Sequence, residues 1–187
     1  MKVLIALILA MTTLTTFAAK KRTTVVMETT KGNIEIELFE DSAPISSKNF
    51  LSYVDSKFYE GTIFHRVIDN FMIQGGGYDS KLVEKKTMPA IKNEATNRIS
   101  NSTGTIAMAR TSSVNSATSQ FFINVNNNTF LDHRSSDPRE FGYAVFGKVT
   151  KGMSVVNVIK KAAKSPKGAH TDLPAETIMI KKVYVKK

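Results

Sequence analysis

Fourteen consecutive residues concentrate the chemistry of this chain: Phe64-His65-Arg66-Val67-Ile68-Asp69-Asn70-Phe71-Met72-Ile73-Gln74-Gly75-Gly76-Gly77. One arginine, one histidine and one glutamine stand among large apolar side chains, and three glycines follow. A cation placed in apolar surroundings is expensive unless it is partnered. Arg66 therefore either snorkels from a core strand to a carboxylate, or it sits where its donors are used. A second stretch, Ser119-Gln120-Phe121-Phe122-Ile123-Asn124, again sets a glutamine beside aromatic residues. The other familiar chemistries are missing from the sequence. There is no cysteine, which excludes disulfides, thiol nucleophiles and thiolate metal sites. His65, His133 and His170 lack metal-ligand spacing. No nucleophile elbow, Walker A loop or dinucleotide fingerprint is present.

Length and composition frame these motifs. A chain of 187 residues with 42% hydrophobic content fits one globular domain. The net charge of +10 raises the question of nucleic acid or another anionic partner. The lysines are scattered, however, and form no arginine-rich cluster interleaved with aromatics, so the charge reads as a solvated basic face.

The elements that must position the motifs follow in order. Residues 1–19 read as a secretory signal peptide, with Lys2 as the charged start, an apolar run from Val3 to Met11 and small residues at Ala18-Ala19. The domain then spans 20–187. Thr24 to Thr30 reads as a strand, turned by Lys31-Gly32-Asn33 into a second strand in which Ile34, Ile36 and Leu38 alternate with polar residues. Asp41 or Ser42 is expected to cap a helix opened by Pro44, with Phe50, Leu51, Val54 and Phe58 on its buried face and Glu60-Gly61 at its end. Thr62 to Ile68 reads as a strand apolar on both faces. Strict alternation puts Phe64, Arg66 and Ile68 on one side and Ile63, His65 and Val67 on the other. Asp69-Asn70 makes a turn, Phe71 to Gln74 a short strand, and Gly75 to Gly77 a loop. Further strands are expected at 104–109, 120–125 and 142–149, and a second helix at 152–161. A last strand follows, whose phase slips near Lys181-Lys182, as a β-bulge would make it do. About eight strands and two helices without a repeat give a barrel or sandwich with helical caps.

Phe-His-Arg-Val-Ile followed by Phe-Met-Ile-Gln-Gly-Gly resembles the first signature of the cyclophilin family of peptidyl-prolyl cis-trans isomerases, and Ser119 to Asn124 resembles the second. Ala90-Ile91-Lys92-Asn93-Glu94-Ala95 is similar to a bacterial cyclophilin segment. The resemblance runs from Thr24 to Val185. It departs from the family at Asn70, where Gly is common; Asn also tolerates the left-handed region, so the turn survives. The resemblance implies a mainly β fold, a closed eight-stranded antiparallel β-barrel capped by two α-helices. It also implies an enzyme that turns X-Pro bonds, with no cofactor and no metal. By position, Arg66 is implied as the donor to the proline nitrogen and Gln74 as its holder. Phe71, Met72, Phe122 and Leu131 are implied as the walls of a proline pocket, with Phe130 beside them where the best-known eukaryotic members have Trp. Backbone groups at Arg110, flanked by Ala109 and Thr111, are implied to hold the substrate's main chain. Gln120 is implied to line the groove, and His65 and Tyr143 to border the site. Taken singly, Phe71, Met72 and Phe122 are ordinary core residues; the joint pattern marks them.

The expected partners are proline-containing unfolded or extended polypeptides, with no nucleic acid and no membrane anchor once the signal is cleaved. A monomer in the periplasm, or secreted, is expected. Two other functions stay open on the sequence: a chaperone-like binding module with little turnover, and a basic adhesin or nucleic-acid binder whose affinity would fall steeply with salt.

Overall fold

A two-residue turn at Thr30-Lys31 joins β1 (Thr24–Thr29) to β2 (Gly32–Leu38), pairing Val25 with Ile36 and Met27 with Ile34. The computed structural model describes residues 22–187; the expected signal segment, 1–19, lies outside the described residues. Gly32 takes the positive φ expected of it but opens β2 rather than sitting inside the turn. The remaining elements are α1 (Pro44–Asp55), β3 (Thr62–Ile68), β4 (Met72–Asp79), β5 (Thr105–Met108), β6 (Phe121–Asn124), β7 (Val145–Lys151), α2 (Met153–Lys160) and β8 (Ile180–Val185).

All strand pairs are antiparallel, and the sheet runs β3-β4-β6-β5-β7-β2-β1-β8. Its two outer strands nearly meet. The Phe64 amide donates to the Ile178 carbonyl at 2.9 Å, the Gly61 amide to the Ile180 carbonyl at 2.9 Å, and Ile63 bridges Met179. The sheet is thus a nearly closed eight-stranded barrel, which leaves little unpaired edge. The two helices cap it: Phe50, Tyr53 and Val54 of α1 and Val156 and Ile159 of α2 are buried in the barrel core.

Alternation along the strands divides the apolar side chains between two clusters. Ile73, Ile106, Met108, Phe121, Ile123 and Phe146 point into the barrel, where Phe50, Tyr59, Phe121 and Phe146 form a chain of ring contacts with centroids 5.1–5.8 Å apart. Their neighbours Met72, Ala107, Phe122 and Val145 point the other way and form a smaller cluster on the outside of β4, β6, β5 and β7. Strands that are apolar on both faces need cover on both faces. Here the inner face has the core and the outer face has the site.

Four local expectations are corrected by the structure. Helix α1 is not capped by Asp41 or Ser42: its N-cap is Ala43, and no side chain of the cap residue bonds the first turn. Instead Glu94 reaches the helix start, accepting from the Ile45 amide at 3.0 Å and from the Ser46 amide and hydroxyl at 2.7 Å each. A carboxylate there satisfies orphan N–H groups and suits the helix dipole. The helix stops at Asp55, before Glu60-Gly61, and Lys57 takes a positive φ in the turn that follows. Gly75 to Gly77 are strand, not loop, within β4. A Cβ on Gly77 would stand 2.6 Å from the Gln120 side chain, so the bare backbone is the bed on which Gln120 lies.

The fourth correction concerns β3. Phe64 pairs with Gly75 and Arg66 pairs with Gln74, so His65 is an extra residue opposite no partner. That bulge resets the alternation. Phe64 and Val67 both enter the core, while Arg66 turns outward and is exposed. Arg66 therefore does not share a side with Phe64. The expected slip in β8 is found: Glu28 pairs with Lys182 and Thr29 with Ile180, leaving Lys181 as the additional residue.

Candidate active site

The outer cluster is not a flat patch. Arg66, Phe71, Met72, Gln74, Ala109, Arg110, Phe122, Leu131 and Tyr143 line a pocket of about 90 Å³. Met72 and Phe122 are its buried floor, at 2% and 4% exposure. The edge of Phe122 meets Tyr143 with ring centroids 5.6 Å apart. Pockets for whole small molecules typically run to roughly 300–1,000 Å³; this one has room for one small ring. Phe130, 58% exposed, stands outside the lining and stacks on Phe71 at 5.6 Å. Thr111 and Gln120 line a second, more polar pocket of about 300 Å³ that shares Gln74, Ala109 and Arg110 with the first.

At the rim a chain of polar groups runs from strand to strand. Arg66 Nη1 donates to Gln74 Oε1 at 3.4 Å, and Gln74 Nε2 donates to Gln120 Oε1 at 2.9 Å. The guanidinium carbon lies 6.0 Å from the centroid of the Phe71 ring. On the opposite edge, Arg66 Nε faces Asp172 Oδ2 at 3.6 Å. Arg66 Nη2 makes no protein hydrogen bond among the described residues, so a donor remains for a bound group. The pairing of Gln74 with Arg66 on one side and with Phe122 on the other sets polar rim and apolar floor side by side.

The wall carries Leu131 at the end of a short 3-10 turn (Thr129–Leu131) and Tyr143 in the irregular segment that follows, and buried asparagines hold it. Asn128 Nδ2 donates to the Phe71 carbonyl and to Asn124 Oδ1, both at 2.7 Å. Asn124 Nδ2 donates to Thr105 Oγ1 at 2.9 Å, and the Asn101 amide donates to Asp132 Oδ1 at 2.7 Å. The Tyr143 amide closes the wall on the Leu131 carbonyl at 3.0 Å. Arg110 adds a strut. Its Nε donates to the Gly142 carbonyl at 3.1 Å, its Nη2 to the Pro138 carbonyl at 2.9 Å, and its guanidinium covers the Tyr143 ring at 4.8 Å. Sequence reasoning missed Asn101, Asn128, Asp132 and Asp172. Asn124 carried a signal, a lone amide closing an apolar strand; Asn128 read only as part of a turn.

His65 is the expected site residue that the structure sends elsewhere. It lines neither pocket. It is 5% exposed, packed edge-on against Tyr78 at 4.7 Å and 6.0 Å from the His170 ring, and its Nδ1 has no hydrogen-bond partner among the described residues. Burial first, then the charges of His170 and Arg66, lower its pKa to about 4, against a small opposing contribution from the Ile63 backbone. A neutral, buried imidazole beside the rim fits a packing role. Among the described residues no group of three His, Asp or Glu side chains could hold a metal ion, and no helix is long and apolar enough to cross a membrane.

The family described as "Cyclophilin type peptidyl-prolyl cis-trans isomerase/CLD" matches residues 24–185. A peptidyl-prolyl cis-trans isomerase of Acinetobacter baylyi is 55% identical over 168 residues, covering 90% of this chain and 88% of that protein. Peptidyl-prolyl cis-trans isomerase A of Dickeya dadantii is 52% identical over 169 residues, covering 90% and 87%. Among solved structures, a cyclophilin type peptidyl-prolyl cis-trans isomerase of Cryptosporidium parvum, crystallised in the presence of the dipeptide Ala-Pro, superposes with a TM-score of 0.72 at 26% identity, covering 88% of this chain and 99% of that one.

Burial of His65 makes the fold sensitive to acid. An unfolded chain takes up a proton at His65 near the ordinary value of 6.5, whereas the folded protein resists until about 4. Between those values the unfolded state binds more protons, so stability falls as pH falls. The loss approaches about 3 kcal/mol, at roughly 1.4 kcal/mol per pKa unit. Urea unfolding at pH 7 and pH 4.5 should show wild type losing clearly more stability than His65→Gln. An equal loss in both would remove His65 as the cause.

Proposed function

The chain belongs to the cyclophilin-type peptidyl-prolyl cis-trans isomerases, and for an enzyme of that family carrying this site we propose that Arg66 is the donor that stabilises the twisted X-Pro bond, that Gln74 holds it, and that the Met72–Phe122 pocket takes the proline ring. Rotation about a peptide bond meets a barrier of about 18–20 kcal/mol because amide resonance is lost. At the top the nitrogen becomes pyramidal and regains a lone pair, while the carbonyl loses polarity. No covalent bond breaks, so no nucleophile is required. A donor aimed at the nitrogen favours the twisted form over either planar isomer, and only such differential binding accelerates the reaction. A dry apolar seat for the ring fixes one side of the rotating bond and strengthens the donor's field. A 10⁵-fold gain needs about 7 kcal/mol, within reach of a few preorganised contacts.

The observation that carries this reading is the guanidinium at the pocket rim, with Nη1 engaged by Gln74 and Nε facing Asp172, next to a floor of Met72 and Phe122. The relative solved with Ala-Pro supports it, since a proline dipeptide is the ligand class the pocket's size suits. A pure binding module would have no use for an oriented cation beside the socket. Arg66→Ala should lower kcat/KM by about 10²–10³, as loss of one preorganised donor does. Lysine should substitute poorly, because it lacks the planar fork. Folding should survive, since Arg66 is outside the core. NMR exchange rates of an Ala-Pro peptide test this; equal rates with Arg66→Ala and wild type would remove Arg66 from the mechanism.

The substrates we propose are proline-containing segments of exported proteins, met in the periplasm or outside the cell. Lys2, the apolar run from Val3 to Met11 and the small residues at Ala18-Ala19 support export. N-terminal sequencing of the protein from its own cells should give a chain starting at Ala19 or Lys20. A chain starting at Met1 in the cytoplasm would contradict export.

A further inference from the structure

Asp172 enters the site from a part of the chain that neither motif touches. It sits on the loop between α2 and β8, and that loop is stitched to itself: Ser165 donates to the Leu173 carbonyl at 2.9 Å, Ala175 to the Ala163 carbonyl at 2.7 Å, and Lys167 and His170 exchange backbone bonds at 3.1 and 3.0 Å. The loop is also locked to β3. The Val67 amide, one residue past Arg66, donates to the Asp172 carbonyl at 2.9 Å, and the Phe64 amide donates to the Ile178 carbonyl at 2.9 Å. The backbone thus delivers the Asp172 side chain to a fixed place beside Arg66.

The carboxylate is shared between two cations. Oδ1 lies 2.8 Å from Lys164 Nζ, and Oδ2 lies 3.6 Å from Arg66 Nε. The second distance exceeds that of a direct hydrogen bond, so the attraction is Coulombic. The Asp172 side chain is 22% exposed, more buried than either partner, which reduces screening between them. On the far edge of the same guanidinium, Gln74 Oε1 accepts from Nη1 at 3.4 Å. Neither contact is tight alone. The Gln74 hydrogen bond holds the Nη1 edge and the Asp172 charge draws the Nε edge toward it, which leaves Nη2 for the ligand.

We infer that Asp172 is a positioning residue for the isomerase reaction: with Gln74 opposite, it sets the plane and place of the Arg66 guanidinium. The inference rests on the reading of Arg66 as the donor. The pair is partly open to solvent and its atoms stand 3.6 Å apart, so it adds little to stability, and the consequence of losing it falls on catalysis. A donor held by one edge instead of two spends part of its time misplaced, and small misplacements are costly in rate.

Isomerisation of an Ala-Pro peptide by wild type, Asp172→Asn, Asp172→Glu, Arg66→Ala and the double variant Arg66→Ala/Asp172→Asn tests it. Asp172→Asn keeps the backbone bond to Val67 and the side-chain volume. It should lower kcat about tenfold, with KM within about twofold and an unchanged urea midpoint. Asp172→Glu should regain most of the loss. In the Arg66→Ala background, Asp172→Asn should cost nothing further. Wild-type activity in Asp172→Asn, with Arg66→Ala impaired, overturns the positioning role and leaves the donor reading intact. The same loss in both backgrounds also overturns it, because Asp172 would then act without Arg66. Full activity in Arg66→Ala overturns the donor reading and the inference with it.

Discussion

The site depends on one extra residue in one strand. His65 is opposite no partner between the pairs Phe64–Gly75 and Arg66–Gln74. Without it, alternation would carry Arg66 to the side of Phe64, among Phe121 and the other rings of the barrel core. A guanidinium there would face a large desolvation cost with no acceptor in reach. The bulge sends the cation outward and leaves Phe64 and Val67 inside. It also fixes which cross-strand neighbour Arg66 has, and that neighbour is Gln74. Gln74 in turn meets Gln120, which lies along the bare backbone of Gly77. A pairing irregularity, a glutamine and a glycine therefore act as one device for aiming a cation.

The pocket follows from a second constraint, which is that β4, β6, β5 and β7 carry apolar residues on both faces where they cross the site. The inward set makes a barrel core shared with both helices. The outward set, Met72, Ala107, Phe122 and Val145, would be an exposed apolar patch on an unadorned barrel. The loop from Asn126 to Tyr143 covers it only in part. Because Asn101, Asn124 and Asn128 bond one another and Asn101 Nδ2 also donates to the Leu131 and Tyr143 carbonyls, that cover is held over a cavity. Buried polar networks of this kind are stable only when their groups are satisfied, which makes the wall rigid. On the proposed mechanism, isomerisation without covalent chemistry uses such a rigid apolar floor beside the Arg66 donor.

Much of this was legible in the sequence because it is local. The β1–β2 hairpin, the turn at Asn70 and the phase slip in β8 are written in alternation and in residues that accept a positive φ. The two motifs supply residues of one pocket, whose lining includes Met72, Phe122, Arg66 and Gln74. What could not be read depends on partners distant in the chain. The bulge at His65 is a property of pairing with β4, not of the β3 sequence, so strict alternation put Arg66 on the wrong side. The glycines from Gly75 to Gly77 look like loop until the side chains lying on them are known. Ala43 caps α1 because Glu94 arrives from another loop, and Asp172 reaches Arg66 because its loop is bonded to β3. His65 stands next to Arg66 in sequence, but the bulge turns it toward Tyr78 and His170 instead of the pocket.

The central claim is that the proline ring sits on Met72 and Phe122 while Arg66 meets the rotating bond. Nuclear Overhauser contacts between an exchanging Ala-Pro peptide and labelled protein, read together with the Arg66 guanidinium nitrogen shifts, test it most directly. The account predicts contacts from the pyrrolidine protons to the Met72 methyl, the Phe122 ring and Leu131, with the Arg66 Nη signals moving as peptide is added. Contacts confined to other surfaces, with the Arg66 signals still while the peptide continues to isomerise, would contradict it.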